Sequence, residues 1–297
     1  MKILVIGSKG FIGSHLLNYL QKVGDEIWGC DVVTDYSAER YIQVDATNAD
    51  FNAIFEQQQF DVCINCSGAA SVPDSFMHPR RDFQLNSANV FAMLSAIHQH
   101  NSGCRFINMS SAAVYGNPEK LPIREDSILA PMSPYGYHKM QAEQILKEFA
   151  ELYGEKTCSL RIFSAYGAGL KKQIFWDMYH KMHDSQEAVF WGTGEETRDF
   201  IHVHDIAKVV ALCIDKASFH AETINVANGK QVTIRHAAET FAKLSGFAGN
   251  IKFNGFTREG DPRFWEADIT TIRSWGYKPS YSLEQGLKEY IEWVINV

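Results

Sequence analysis

Tyr135 and Lys139 lie four residues apart in Ser133-Pro134-Tyr135-Gly136-Tyr137-His138-Lys139, a stretch that opens a helical pattern over 134–153. That spacing puts a phenol and an ammonium on one helical face. An ammonium held beside a phenol favours the phenolate and lowers a pKa that is otherwise about 10. A tyrosine tuned in this way is a general base or acid near neutral pH. Ser110 and Ser111 follow an apolar run at 104–108, and a hydroxyl placed there can hold or relay a proton at the same oxygen. A bare Tyr-x-x-x-Lys is also what a surface pair on a helix looks like. Its weight comes from the order of the features that precede it.

The first of these is Gly7-Ser8-Lys9-Gly10-Phe11-Ile12-Gly13, entered directly from the apolar run KILVI and leaving into a helical pattern over 11–22. Glycines at 7, 10 and 13 let the backbone turn tightly and approach a pyrophosphate, which the free N–H groups of a helix start at Phe11 and Ile12 would hold. The spacing is one residue wider than the commonest dinucleotide fingerprint, and the strand before and helix after give it meaning. Asp31 closes the second strand pattern, where a carboxylate accepts hydrogen bonds from ribose hydroxyls and repels a 2′-phosphate; this favours NAD over NADP. Asp45, followed by Ala46, closes the third, and either reaches the adenine or caps the next helix. Ser67-Gly68-Ala69 follows the fourth, small enough for a dinucleotide to pass over the sheet edge.

Positioning these residues takes a parallel sheet. Strand patterns at 2–6, 26–30, 40–44, 61–65, 104–108 and 157–162 alternate with helical ones at about 50–58, 80–100 and 134–153. Such alternation predicts an α/β chain with a doubly wound, Rossmann-type sheet covered on both faces. Residues 1–165 are expected to form the NAD-binding domain. Residues 166–297, with helices at 170–183, 204–215, 233–245 and 282–296 and strands at 187–191, 222–227 and 250–253, are expected to form a smaller α/β substrate lobe. The stretch 200–216 is expected to return to the first domain.

The chain has 297 residues, 45% hydrophobic and 21% charged, which describes a globular protein. A net charge of −7 argues against a nucleic-acid binder. No apolar run reaches the roughly 18 residues that span a bilayer. A strand pattern beginning at Lys2 leaves no room for a leader, so a cytoplasmic protein with six reduced cysteines is expected. Cys63 and Cys66 then belong to core rather than to redox or metal chemistry, and the Asn65 and Asn108 sequons carry no glycan. His202 and His204 alternate in a way that could suggest metal ligation. No further ligands accompany them, so no metal is expected. Asp205 fits a helix N-cap.

Taken together, these motifs resemble the extended short-chain dehydrogenase/reductase superfamily, most closely its NAD-dependent nucleotide-sugar epimerase/dehydratase branch, over nearly the whole chain. The resemblance implies that Gly7, Gly10 and Gly13 cradle the pyrophosphate, Asp31 the ribose and Asp45 the adenine. It makes Ser111, Tyr135 and Lys139 the catalytic trio. Ala46, Ser67, Gly68, Ala69 and Ile162 would also line the cofactor. Asn86 resembles the family's supporting asparagine, or is a polar spot on a packed helix. Gly192-Thr-Gly-Glu-Glu-Thr-Arg198-Asp-Phe-Ile-His-Val resembles a family segment in which Arg198 clamps a nucleotide diphosphate. The plainer alternative for Arg198 is a salt bridge to Asp199 or a glutamate. Arg258-Glu-Gly-Asp261-Pro resembles a later signature, with Arg258 on the diphosphate and Asp261 on the ribose. Where many relatives have Arg-x-Phe-Asn, this chain has Arg161-Ile-Phe163-Ser164, and Ala112 follows Ser111 where dehydratases carry an acidic pair. The implied activity is 4-epimerisation of a nucleotide-linked sugar, with UDP as the expected nucleotide, through a 4-keto intermediate. A 4-ketoreductase of nucleotide-linked deoxysugars is the nearest alternative, and a non-catalytic dinucleotide-binding regulator a more distant one. By the same resemblance, the apolar stripes on 80–100 and 134–153 would form a homodimer interface.

Overall fold

The computed structural model describes residues 1–297 apart from Asp25 and Asp184. Seven parallel strands form the central sheet, in the order β10-β6-β5-β4-β1-β2-β3. They are β1 (Lys2–Ile6), β2 (Glu26–Asp31), β3 (Tyr41–Gln43), β4 (Val62–Asn65), β5 (Arg105–Ser111), β6 (Thr157–Ile162) and β10 (His220–Val226). The centre of the sheet is buried on both faces: β1 is a nearly continuous apolar run, and β4 and β6 are buried along their whole length, β6 with Thr157, Ser159 and Arg161 among its buried residues.

One face is covered by α1 (Phe11–Val23) and α8 (Val203–Lys216), with Leu16 and Leu20 packed among Ile206, Val209, Val210 and Cys213. The other carries α2 (Phe51–Gln57), α5 (Asn89–His100) and α6 (Pro134–Tyr153), where Phe55, Met93, Leu94 and Leu146 meet Leu4, Cys63 and Phe106. Between β4 and α5 run α3 (Val72–Met77), α4 (Pro79–Phe83) and a π-helical turn at Gln84–Ala88. The helical pattern over 80–100 is therefore not one α-helix: a wider turn interrupts it around Asn86, and such turns are frequent at functional sites.

A third core joins β7 (Ser164–Tyr166), α7 (Gln173–His183), β8 (Glu187–Phe190), β9 (Thr197–His202), β11 (Gln231–Thr233), α9 (Ile234–Ser245), β12 (Asn250–Phe253) and α11 (Leu283–Val294) around Phe175, Phe200, Phe241 and Tyr290. A short α10 (Thr270–Ser274) lies against β10. Its strands pair as β11-β9-β7 and β12-β8. The segment around 222–227, grouped above with the later elements, is the seventh strand of the central sheet, in parallel register with β6 from Thr223↔Ser159 to Val226↔Ile162.

The chain steps from β1 to β2 and β3 in one direction and from β4 to β5 and β6 in the other. The carboxyl ends of β1 and β4 therefore flank the reversal point, where open α/β sheets form their crevice.

Candidate active site

Gly7 follows β1 with φ +81°, and a Cβ there would stand 2.6 Å from the backbone nitrogen of Ser67. A Cβ on Gly13 would land on the Gly7 carbonyl. The turn closes through Gly10 N–H to Gly7 O at 3.0 Å. No side chain caps α1, and its first internal bond comes from Ser14, so the N–H groups of Phe11, Ile12 and Gly13 have no partner within the helix. This bare, side-chain-free helix start fits a pyrophosphate.

Asp31 stands at the end of β2, its carboxylate accepting from the N–H groups of Lys9 (2.8 Å) and Val32 (2.7 Å). Gly7, Asp31, Asp45, Ala46 and Ser67 line one cleft with Val44, Gln84 and Leu85. Of the two readings of Asp45, the cap is excluded. Asp50 caps α2, while Asp45 accepts from the Thr47 hydroxyl and the N–H groups of Thr47 and Asn48, which hold it below the usual carboxylate range. Gly68 has φ +127°, and Ser67 is pinned by Asn65 Oδ1 at 2.6 Å, so the chain crosses the sheet edge without a large side chain.

α6 begins at Ser133, whose hydroxyl accepts from Gly136 N–H at 3.1 Å, with Pro134 in the first turn. This start directs Tyr135 and Lys139 toward β5. The Lys139 side chain is buried, its Nζ donates to Met109 O at 2.8 Å, and it lies 5.9 Å from the centre of the Tyr135 ring. Burial pulls the Lys139 ammonium down to about 8, opposed by Asp82, Cys66 and Glu143. The structure thus brings Ser111, Tyr135 and Lys139 together. One expectation is corrected, because the Tyr135 phenol is not lowered in the protein alone. Burial pushes it up to about 12, a hydrogen bond with Ser111 opposes this, and Asp82 adds to the rise.

Asn86, on the π turn, is buried, and neither polar atom of its side chain has a hydrogen-bond partner in the protein. A Cβ on Gly68 would strike Asn86 Oδ1 and stand 3.5 Å from Lys139 Nζ, so the three meet at one point. Leaving buried polar atoms unpaired costs about 1–3 kcal/mol. A partner from outside the protein therefore fits here, next to the lysine.

Ile162 ends β6 in the core, and Ser164 begins β7, half-buried and paired with Phe200. Arg198 on β9 lies 5.7 Å from the Trp265 ring, with Nη1 donating to Thr197 O at 2.9 Å. Among the described residues it makes no ion pair with Asp199, whose carboxylate accepts from the N–H groups of Asn228, Lys230 and Ala267. Burial lowers the Arg198 pKa, with Asp261 and Glu196 opposing. Burial raises that of Asp261, with Arg198 and Arg258 opposing. Arg198, Arg258 and Asp261 thus share one electrostatic neighbourhood. A Cβ on Gly260 would meet Val72 and Ser133, so the 258–261 loop lies over the mouth formed by α3 and α6.

The N-cap expected at Asp205 is instead His202, which accepts from His204 N–H at 3.4 Å. Asp205 is buried in the first turn and accepts from Ser280 and Tyr281 N–H. His202 stacks on Tyr281 at 4.0 Å. Among the described residues no group of three or more His, Cys, Asp or Glu is placed to hold a metal, and no helix is long and apolar enough to cross a membrane.

A family model described as "NAD dependent epimerase/dehydratase family" matches residues 3–227. The chain belongs to that family. Relatives include a UDP-glucose 4-epimerase of Azospirillum brasilense, 28% identical, with 96% of this chain and 89% of that protein covered. Among solved structures, the UDP-N-acetylglucosamine 4-epimerase of Methanobrevibacter ruminantium, in complex with UDP-N-acetylmuramic acid, superposes with a TM-score of 0.88 at 28% identity over 99% of this chain and 98% of that one. The UDP-glucose 4-epimerase of Thermotoga maritima with UDP-glucose gives 0.88 at 27% identity over 100% and 99%.

Two features of this family member escaped the sequence reading. Glu143, one turn beyond Lys139, makes a two-point pair with Arg161 (2.9 and 2.7 Å) and accepts from Ser110 Oγ at 2.5 Å. Asp82 and His138 are hydrogen-bonded at 2.6 Å. The clues available were spacings: Glu143 lies at i+4 from Lys139, and Asp82 at i−4 from Asn86.

Proposed function

We propose that the protein is an NAD-dependent 4-epimerase of a UDP-linked sugar. The observation that carries this reading is the convergence of Ser111, Tyr135 and Lys139 beside the crevice at the β1/β4 reversal point, next to the unpaired amide of Asn86. Gly7, Gly10, Gly13 and the N–H groups of Phe11 and Ile12 would hold the pyrophosphate of NAD. Asp31 would hold its ribose, Asp45 and Ala46 its adenine end, and Ser67, Gly68, Ala69 and Ile162 its path to the catalytic residues. Bound there, NAD supplies a reversible hydride acceptor and a positive ring.

Tyr135 takes the proton of the sugar 4-hydroxyl and returns it, with Ser111 relaying it at the phenolic oxygen. Burial alone leaves the phenol too weakly acidic for this at neutral pH. The positive charge of Lys139, and of the ring when it is present, is what favours the phenolate. Arg198 and Arg258 would clamp the diphosphate and Asp261 the nucleotide ribose, leaving the 4-keto sugar free to present its other face. Ala112, which follows Ser111 where dehydratases carry an acidic pair, offers no carboxyl for eliminating water from the sugar, which favours epimerisation over dehydration.

The reading includes a homodimer and a cytoplasmic setting. Phe83, Phe91 and Tyr153 are 44%, 46% and 49% exposed across α4, α5 and α6 and leave an apolar face for a second copy. Sedimentation at a single-chain mass would remove the dimer. Six unpaired thiols suit a reducing compartment.

The deciding experiment offers the purified protein a panel of UDP-sugars and follows both product and absorbance at 340 nm. The C4 epimer should appear with no net absorbance change. Stoichiometric consumption of NADH with a 4-keto substrate would instead establish the reductase.

A further inference from the structure

Asp82 is a buried carboxylate, its side chain 3% exposed, near the end of α4. Its Oδ1 accepts from His138 Nδ1 at 2.6 Å, and its Oδ2 has no hydrogen-bond partner. His138 lies inside the Tyr135–Lys139 segment and is adjacent to the lysine in the chain. Its ring is 12% exposed and meets the Phe83 ring edge-on at 5.5 Å. A second link runs from Ser87 Oγ to His138 O at 2.9 Å. The π turn that carries Asn86 is therefore tied on both sides to the helix that carries the catalytic pair.

A carboxylate held by one neutral or cationic partner, with one oxygen unpaired, projects a negative field into its surroundings. Of the charges that oppose the burial of Lys139, that of Asp82 acts most strongly, ahead of Cys66 and Glu143. Glu143, on the same helix, is neutralised by the two-point pair with Arg161. The Cys66 thiol, beyond β4, is pushed up to about 12 by burial and stays neutral. Met109 presents only a carbonyl. Tyr135 carries its charge only within the reaction. Among the described residues, Asp82 is the remaining carboxylate whose charge reaches both members of the catalytic pair, and its proton-withholding effect has the same sign on each.

We propose that Asp82 and His138 form a positioning pair that shifts the working pH of the enzyme: the buried Asp82 carboxylate helps hold the proton on Lys139 against the burial of its site, and His138 holds the carboxylate in place. The pair acts through Lys139 and Tyr135 and touches neither substrate nor cofactor. The assignment of roles to those two residues rests on the proposed function above.

The test reads Lys139 directly, so that it stands apart from any failure to find a substrate. Protein labelled with 13C at the lysine ε-carbon is titrated by NMR with NAD bound, the Lys139 signal being identified by its loss in Lys139→Met. Asp82→Asn keeps an acceptor for His138 and removes only the charge. Its Lys139 midpoint should fall by about half a pH unit or more, with the alkaline limb of activity moving the same way. His138→Asn keeps a donor for Asp82 without an imidazolium, and its midpoint should stay or rise. If Asp82→Asn does not fold, the double variant Asp82→Asn with His138→Asn, in which two amides can still hydrogen-bond, should show the same fall. A midpoint unchanged in the folded Asp82 variant, or lowered equally in His138→Asn alone, would overturn the proposal.

Discussion

The Lys139 ammonium donates to the carbonyl of Met109 at 2.8 Å, which fixes the helix that carries Tyr135 against the strand that ends in Ser111. The bond uses one of the three donors of the ammonium. The remaining two are available toward Asn86 and the crevice. A buried lysine held in this way supplies charge at a fixed place, and the tyrosine depends on that charge because its own surroundings oppose ionisation.

Tyr135→Phe removes the proton carrier and leaves the ring's packing. Turnover should fall by about 10²–10⁴-fold, while NAD affinity, read by tryptophan fluorescence quenching, stays within about twofold of the parent (roughly 0.4 kcal/mol). Loss of NAD binding together with turnover would show that the phenol is structural.

Arg198→Ala should weaken the nucleotide sugar by about ten- to a hundredfold, the value of charge-assisted bonds worth about 1.5–3 kcal/mol. Arg198→Lys should recover little, because an ammonium cannot make the two-point contact. Calorimetry with UDP separates this from an effect on the sugar. Unchanged UDP affinity would remove Arg198 from the diphosphate site.

How far the residues alone disclose this site depends on the distance over which each signal acts. The glycine turn into α1, Asp31 at the end of β2 and the start of α6 at Ser133 are local, and each stands where its neighbours in sequence imply. Strand β10 is different. It is separated from β6 by the whole stretch from Phe163 to Phe219, and nothing in its own pattern says which sheet it will join. The π turn at Gln84–Ala88 is invisible to apolar periodicity because the residues it buries, Asn86 and Ser87, are polar. The Asp82–His138 contact unites positions with no shared pattern. Asp205 has the composition of a cap, but tertiary contacts with Ser280 and Tyr281 claim its carboxylate, and His202 takes the cap.

His202 gives stability a pH dependence of known sign. Burial first, then His204 and His15, lower its pKa from 6.5 to about 3. The unfolded chain takes up a proton that the folded one refuses, so the contribution is fully present above about pH 6.5. It is lost as pH falls toward about 3, with a slope near 1.4 kcal/mol per pH unit. His202→Asn preserves a capping acceptor and should flatten the dependence of denaturant midpoint on pH between about 6 and 4. An unchanged slope would show that another group carries the acid sensitivity.

Glu143→Gln should destabilise the fold by about 3–5 kcal/mol, because Arg161 is left buried without its counter-charge. Replacing both, as Glu143→Leu with Arg161→Met, should cost much less than the sum of the single changes. Guanidinium unfolding of the four proteins closes the cycle. Additive losses would mean that the pair is solvated rather than desolvated.

In the proposed reaction one crevice takes hydride from C4 of a UDP-sugar and returns it to the opposite face of the same carbon. This is tested most directly with substrate deuterated at C4, followed by mass spectrometry and NMR of the epimerised product. The product should keep its deuterium at C4, and unlabelled sugar present in the same reaction should acquire none. Deuterium washed into solvent, or carried to another sugar molecule, would contradict it.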